Sequence, residues 1–247
     1  MIKTFSLPES KKIYTTDLVS EYESLLTKGL CVVPEYFYTD KDELSDVDKE
    51  GYPWPHTNYI VTEPEEMSTR DLCRIYQRIN NLPWHILSTK HFIIRESTVD
   101  DVESFYRIYS EDGITDYIEP LFEDIQNEML YMRNYIKDIY AFYGFGMWSV
   151  VDSITHDIIG RAGISMIDGY EYPELGFVTA TAYQHQGYTF EILSAIMEYA
   201  KNELGFSKIQ ARVKPSNIKS INLLTRLGFN IPHTPQQDYL IALHTFS

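Results

Sequence analysis

The spacing of apolar residues divides the chain into two parts that meet near Lys90. In the first part, a strand pattern over residues 12–15 is followed by apolar residues at helical spacing and then by the buried-strand pattern of residues 30–33. This order predicts a β-α-β unit whose helix is capped by Asp17 and ends at Gly29.

A second strand and helix follow in the first part. Residues 58–62 have an extended pattern, and Ser68 is placed to cap a helix. One face of that helix is apolar and is predicted to be buried, namely Leu72, Ile75, Tyr76 and Ile79. Residues 40–50 are rich in Asp and Glu but lack the glycine and ligand spacing of a calcium loop, so we interpret them as a solvated loop. Residues 1–90 are therefore predicted to form a small α/β segment of unknown role.

The second part, residues 91–247, alternates strand and helix patterns. A strand at residues 92–94 precedes a helix that begins at Thr98 and a longer amphipathic helix over about residues 123–140. Three closely spaced strands predict an antiparallel meander, at residues 147–151, 158–166 and 175–178. The final elements are a helix from Gly187 to about residue 204, a strand at 208–213, a helix at 218–227 and a strand at 239–243. The predicted fold class is α/β (α+β), with a mixed, mostly antiparallel central sheet flanked by helices.

Charge and cysteine content restrict the partners and the compartment. The 247 residues include 36 Asp and Glu against 21 Lys and Arg, a formal net charge of −15. This excess disfavours binding to nucleic acid or to an anionic membrane and favours small cationic partners. Cys31 and Cys73 lie outside any metal-ligand spacing, which favours free thiols in a reducing compartment. Since there is no apolar leader and no run of 18 apolar residues, we expect a cytoplasmic protein.

A strand passes into a helix through a polar turn at residues 184–189. Gly187 lies where the helix begins, and a residue without a Cβ atom lets the backbone come close to a ligand. The N–H groups at the start of a helix bind phosphate without many basic side chains, which matters in so acidic a chain. Spacing alone supports a phosphate site only weakly, because a glycine after a polar loop is common at helix starts.

The residues around this turn resemble the coenzyme A-binding region of the GNAT superfamily of N-acetyltransferases. The family motif is [Q/R]-x-x-G-x-[G/A], after a strand that ends in a glutamate-leucine-glycine-aromatic run. The corresponding residues here are Gln184, Gly187 and Thr189, after the run at residues 174–177.

A second family hallmark lies at the expected separation from the first. It is an Asn followed by a helix that ends in Leu-Gly-Phe, and it corresponds to Asn217 and residues 227–229. The resemblance covers about residues 91–244 and leaves residues 1–90 outside it. Within the superfamily the sequence is most similar to the branch that includes the ribosomal-protein alanine acetyltransferases.

The resemblance implies an N-acetyltransferase that moves an acetyl group from acetyl-CoA to a primary amine by direct attack in a ternary complex. Acetyl-CoA is then the cosubstrate, and no metal is required. The coenzyme-binding residues that it implies are Phe177, Val178, Gln184, His185, Gln186, Gly187, Tyr188, Thr189 and Asn217.

Two departures from the family favour an alternative, a non-catalytic acyl-CoA-binding sensor or interaction protein. Thr189 stands where the family has Gly or Ala, although its hydroxyl is able to donate a hydrogen bond to phosphate. Leu224 stands where many members have the tyrosine that protonates the leaving thiolate. Ser220 or an ordered water is the expected substitute for that acid. Residues 1–90 are a third candidate for the functional part, as an interaction module.

Direct attack needs a base, because amines with a pKa of about 10 are mostly protonated at neutral pH. It also needs a hydrogen-bond donor for the tetrahedral oxyanion. Glu174 is the predicted base, since it is the one carboxylate in the strand beside the turn. The alternative for Glu174 is a strand-end carboxylate that faces water or pairs with Arg161 or Arg212. The backbone N–H of Val178 is expected to meet the oxyanion. His185 is expected to face solvent or phosphate rather than to act as the base.

The acceptor is predicted only by class. The charge balance favours a cationic amine, and Glu119, Glu123 and Asp124 are candidates for the acceptor wall. The aromatic run at residues 139–148 also suits a cation, but aromatic residues at such spacing are more often core. The sequence does not identify the amine and leaves open whether the protein forms a homodimer.

Overall fold

A computed structural model describes residues 1–36, 59–236 and 238–246. The chain divides into two compact units, Met1–Trp84 and His85–Ser247. The division lies a few residues before the predicted boundary near Lys90, because residues 85–88 form a strand of the second unit's sheet. The predicted acidic loop at residues 40–50 lies outside the described residues.

The first unit contains a three-stranded sheet. Strand β1 (Lys3–Ser6) pairs antiparallel with β2 (Lys12–Thr16), and β2 pairs parallel with β3 (Val32–Pro34). Helix α1 (Val19–Thr27) connects β2 to β3, which confirms the predicted β-α-β unit. A left-handed Gly29 with φ +70° follows the helix, as predicted for its end.

The predicted cap of α1 is wrong. The N-cap residue is Leu18, and the amide of Leu18 donates to Oγ1 of Thr16 at 3.2 Å. The carboxylate of Asp17 is engaged by the amino group of Met1 instead.

Helix α2 (Thr69–Ile79) supplies the apolar face that closes the core of the first unit. Its N-cap is Ser68, whose Oγ accepts a hydrogen bond from the amide of Asp71, as predicted. The predicted apolar face packs against Leu7, Ile13, Val33 and Val61. Cys31 and Cys73 are free thiols, as expected.

The second unit is built on a seven-stranded sheet. Its strands are β4 (His85–Ser88), β5 (Phe92–Arg95), β6 (Met147–Asp152), β7 (Ile158–Ser165), β8 (Glu174–Thr179), β9 (Lys208–Val213) and β10 (Leu240–Thr245). They are ordered β10-β9-β8-β7-β6-β5-β4, and the β8–β9 pair alone is parallel among the described strands of this sheet. The predicted fold class and meander are confirmed.

Helices cover this sheet. They are α3 (Val102–Tyr109), α4 (Ile125–Asn134), α5 (Tyr188–Asn202) and α6 (Ile218–Arg226). The predicted single helix over residues 123–140 is α4 followed by a π-helical segment, Tyr135–Tyr140. On the sheet, Trp148 is fully buried against Tyr199 of α5, with ring centroids 5.7 Å apart. None of the helices in the described ranges is long and apolar enough to cross a membrane.

The parallel pair at the middle of the sheet is short, and this creates the functional cleft. Strands β8 and β9 pair at a single position, Glu174 opposite Gln210. Beyond it, β8 continues to Thr179 with β7 on one side and, among the described residues, no ladder partner on the other. The remaining length of β8 therefore presents an open backbone edge.

Candidate active site

A cleft of about 720 Å³ opens along the free edge of β8. Its walls come from the end of β8, the turn into α5, the start of α6 and the loop that follows α3. Eight of the predicted site residues line it: Phe177, Val178, Gln184, His185, Gly187, Thr189, Asn217 and Ser220. The structure does not bring Glu174, Gln186 and Tyr188 into this lining.

The register of β8 determines which amides face the open edge. The amide of Ala180 donates to the carbonyl of Ile159 in β7 at 2.8 Å. Because ladder hydrogen bonds alternate along a strand, the N–H of Val178 also points toward β7. The N–H groups of Phe177 and Thr179 point the other way, into the cleft. The N–H of Val178, which was expected to meet the oxyanion, therefore faces β7 and not the cleft.

The turn into α5 is shaped by two left-handed residues, His185 with φ +61° and Gly187 with φ +83°. The side-chain amide of Gln184 donates to the carbonyl of Thr179 at 2.9 Å, which holds the turn against the end of β8. Gly187 is the N-cap of α5, and as a glycine it makes no side-chain cap hydrogen bond. The N–H groups of the first turn therefore remain available to an anion at the mouth of the cleft.

Thr189, the departure from the family motif, is accommodated within the turn. Its hydroxyl donates to Oγ1 of Thr179 at 3.3 Å and so contacts the strand end. Tyr188 points elsewhere, because its ring packs against Phe92 with centroids 5.2 Å apart. The side-chain amide of Gln186 donates to the carbonyl of Ala182 at 2.7 Å.

Helix α6 contributes the opposite wall. Oδ1 of Asn217 accepts a hydrogen bond from the amide of Ser220 at 3.1 Å, so Asn217 is the N-cap of this helix. Lys219 and Arg226 also line the cleft and were not predicted. The two residues lie seven positions apart on the helix that the sequence predicts at residues 218–227. That spacing places two side chains on the same face of a helix and would have indicated that they act together.

Glu174 lies at the point where β8 and β9 part. Its carboxylate accepts hydrogen bonds from Nε and Nη2 of Arg212, at 2.5 and 3.1 Å. The Arg212 pairing that the sequence left open is thus present, and 14% of the Glu174 side chain is exposed. The hydrogen bond that Arg212 donates to Glu174 raises the pKa of Arg212, against the opposing effect of burial.

The acidic candidates for the acceptor wall do not line the cleft. Glu119 and Glu123 are exposed, and Asp124 is the N-cap of α4, accepting from the amide of Gln126 at 2.9 Å. Asp116, which the sequence analysis missed, is the carboxylate in the lining. Because it lies in an irregular loop, no periodic pattern marked it.

The aromatic run at residues 139–148 does not line the cleft and is core only in part. Tyr140 and Trp148 are fully buried. The hydroxyl of Tyr140 donates to the carbonyl of Met147 and accepts from the amide of Ser97. Phe142, in contrast, is 80% exposed.

The comparisons with known proteins identify the family of this chain. The acetyltransferase (GNAT) domain model matches residues 91–230, and the chain belongs to the GNAT acetyltransferase family. Transfer of an acetyl group from acetyl-CoA to an amine is the general activity of that family. The protein is an acetyl-CoA-dependent N-acetyltransferase.

Relatives include proteins from several bacteria. The chain is 27% identical over 148 residues to the uncharacterized N-acetyltransferase p20 of Bacillus licheniformis. The aligned segment covers 58% of this chain and 81% of the relative. It is 33% identical over 103 residues to the ribosomal protein uS5-alanine N-acetyltransferase of Escherichia coli, covering 41% and 50% of the two chains. An acetyltransferase structure from Agrobacterium tumefaciens has the same fold, with a TM-score of 0.56 at 20% identity over 65% of this chain and 94% of that one.

Proposed function

We propose that the cleft holds acetyl-CoA along the free edge of β8 and that a primary amine attacks its thioester directly in a ternary complex. The observation that carries this proposal is the single-position pairing of β8 with β9 beside the uncapped start of α5. The backbone of β8 then has unpaired groups for the pantetheine amides, and the first turn of α5 has N–H groups for the pyrophosphate.

Basic side chains on α6 support the same orientation of the coenzyme. Lys219 and Arg226 lie in the lining on the side opposite β8. The guanidinium of Arg226 lies over the ring of Phe190, 4.7 Å from its centroid, and is fixed beside the cleft. In a chain of net charge −15, these two cations and the helix start provide local attraction for the coenzyme phosphates.

The chemistry requires a proton acceptor, an oxyanion donor and a proton donor. Attack by the neutral amine on the thioester carbon forms a tetrahedral oxyanion, which the amide of Phe177 or Thr179 is oriented to stabilise. Glu174 is the proposed base, and one hydrogen bond to Arg212 must open when it accepts the proton of the amine. Collapse of the intermediate expels the coenzyme A thiolate, for which Ser220 is the proposed proton donor, and water returns a proton to the Ser220 hydroxyl.

The acceptor is proposed to be a cationic amine. The net charge attracts an ammonium group at long range, and Asp116 places a carboxylate in the lining. The uS5-alanine relative acts on a ribosomal protein, so peptide N-termini are included among the acceptors to be tested.

The deciding experiment is a thiol-release assay with acetyl-CoA against polyamines, aminoglycosides, amino acids and peptide N-termini. We expect release of free thiol that depends on the amine, with the acetylated amine identified by mass spectrometry. Acetyl-CoA binding without turnover on any amine would contradict the proposed reaction and favour the sensor.

A further inference from the structure

One buried cation of the second unit has no countercharge among the residues that the structure describes. Arg161, in β7, is 7% exposed, and it makes no hydrogen bond or ion pair with any described residue. Its Nε is buried without an acceptor. An unpaired buried charge is costly, and proteins normally supply it with a carboxylate.

Aromatic rings surround this guanidinium. It lies over the ring of Phe105, 4.6 Å from the centroid, in a cation–π contact. Burial acts to lower the pKa of Arg161, but the oxygens of Tyr109, Tyr140, Tyr135 and Tyr131 raise it, so the group stays charged. The hydroxyls of Tyr135 and Tyr140 are already bonded to the backbone of Met147.

Two buried carboxylates of this region, Asp101 and Glu128, are already engaged, and Glu128 accepts a hydrogen bond from the amide of Phe122 at 3.3 Å. Ser149 lies opposite Arg161 in the β6–β7 ladder, and its hydroxyl donates to Asp101 at 2.7 Å. Asp101 also forms a bidentate ion pair with Arg95, with distances of 2.7 and 2.8 Å. Asp101 therefore neutralises Arg95, and the charge of Arg161 remains without a protein partner in the described ranges.

The position of Arg161 connects it to the reaction site. It lies opposite Val178 in the β7–β8 ladder, and Val178 lines the cleft. Side chains of directly opposite residues share one face of a sheet, with Cβ atoms about 4.5–5.5 Å apart. Val178 also directly follows Phe177, one of the proposed oxyanion donors. Arg161 itself does not line the cleft, and Val178 is the lining residue opposite it in the β7–β8 ladder, so Val178 marks the side from which an acceptor would approach the guanidinium.

We infer that Arg161 binds a carboxylate of the acceptor, so that the amine substrate is an amino acid or a compound with the same pair of groups. This inference rests on the proposed function and names its substrate class. A carboxylate accepts two parallel hydrogen bonds from the planar guanidinium group. Its single negative charge neutralises the single positive charge of Arg161. A basic amino acid would also retain the net positive charge that the acidic chain attracts.

The test compares two amines that differ by one carboxylate, L-lysine and cadaverine. The ratio of their kcat/KM values is measured for the wild type, Arg161→Gln, Arg161→Lys and the matched control Arg107→Gln, which changes an exposed arginine of α3. We expect the wild type and Arg107→Gln to favour lysine by about 10- to 100-fold, the range for hydrogen bonds between charged groups. The ratio should fall to near one in Arg161→Gln and to an intermediate value in Arg161→Lys.

Two outcomes separate this inference from the proposed function. Turnover of both amines at the same ratio in wild type and Arg161→Gln would overturn the role of Arg161 and leave the acetyltransferase proposal intact. If neither amine is acetylated, lysine and cadaverine are titrated into the CoA-loaded protein by calorimetry. Tighter binding of lysine that Arg161→Gln abolishes would support the carboxylate site, and equal binding would overturn it.

Discussion

Both carboxylate oxygens of Glu174 are held by the guanidinium of Arg212, from the strand that parts from β8 at this position. The ion pair ties β8 to β9 at their one paired position, and beyond it the cleft begins. Glu174 therefore links the two strands, and in the proposed function it is also the proton acceptor.

Replacing Glu174 by Gln should lower kcat by about 10²–10⁴-fold, because a general base acts on the amine. The dissociation constant for acetyl-CoA should change little, since Glu174 lies outside the cleft lining. Steady-state kinetics and calorimetry measure the two quantities. Arg212→Met is the matched control, because it breaks the same ion pair and keeps the carboxylate. Equal losses of kcat in the two variants would show that Glu174 only links β8 to β9 and is not the base.

Replacing Gly187 by Val should abolish acetyl-CoA binding. An added Cβ would meet no atom within 4 Å, so the effect comes from the left-handed φ of +83°, which costs an L-residue about 1–2 kcal/mol. The turn would relax and move the amides of α5 away from the pyrophosphate. Gly205→Val is the control, since Gly205 is also left-handed and open but lies beyond the far end of α5. Calorimetry showing unchanged affinity in Gly187→Val would disprove the phosphate assignment.

Replacing Ser220 by Ala should lower kcat by about 10²-fold, if its hydroxyl protonates the thiolate. Binding of acetyl-CoA should persist, because the N-cap bond of Asn217 goes to the backbone amide of residue 220. Thr225→Ala, on the exposed side of the same helix, is the control. A kcat equal to that of the wild type would leave an ordered water as the acid.

The two substrates should respond oppositely to salt. The Debye length falls from about 10 Å at 0.1 M to about 3 Å at 1 M, which weakens attraction of a cationic amine to the acidic chain. The same screening relieves repulsion of the coenzyme phosphates. We expect KM for the amine to rise and KM for acetyl-CoA to stay level or fall. An amine KM that is flat across this range would argue against a cationic acceptor.

Replacing Asp101 by Asn should destabilise the protein by about 3 kcal/mol at pH 7, because Arg95 is left partly buried without its partner. Burial acts to raise the pKa of Asp101, but Arg95, the amide of Thr98 and the hydroxyl of Ser149 lower it overall.

Because the pKa of Asp101 is lower in the folded than in the unfolded protein, its ionised carboxylate stabilises the fold. This contribution is fully present at a pH above the unfolded pKa and is lost as the pH falls through the folded pKa. The difference between wild type and Asp101→Asn should therefore shrink below about pH 3.9, the ordinary value for Asp. Urea unfolding at several pH values measures it, and a constant difference would contradict the assignment.

Local pattern was sufficient for most of the second unit. The helix starts at Thr98, Gly187 and Asn217 depend on residues within one turn, and the structure has all three. The motifs in residues 174–189 and 217–229 were likewise enough to recognise the family, because each motif is a short-range feature of the chain.

The tertiary structure alone decided what these residues face. Glu174 and Arg212 are 38 positions apart, and only the β8–β9 register makes them partners. The direction of the Phe177 amide depends on the ladder with β7, and the isolation of Arg161 depends on Asp101 being engaged by Arg95. Sequence periodicity determines which face of an element is buried, whereas pairing and countercharge arise between distant segments and are determined only when the sheet assembles.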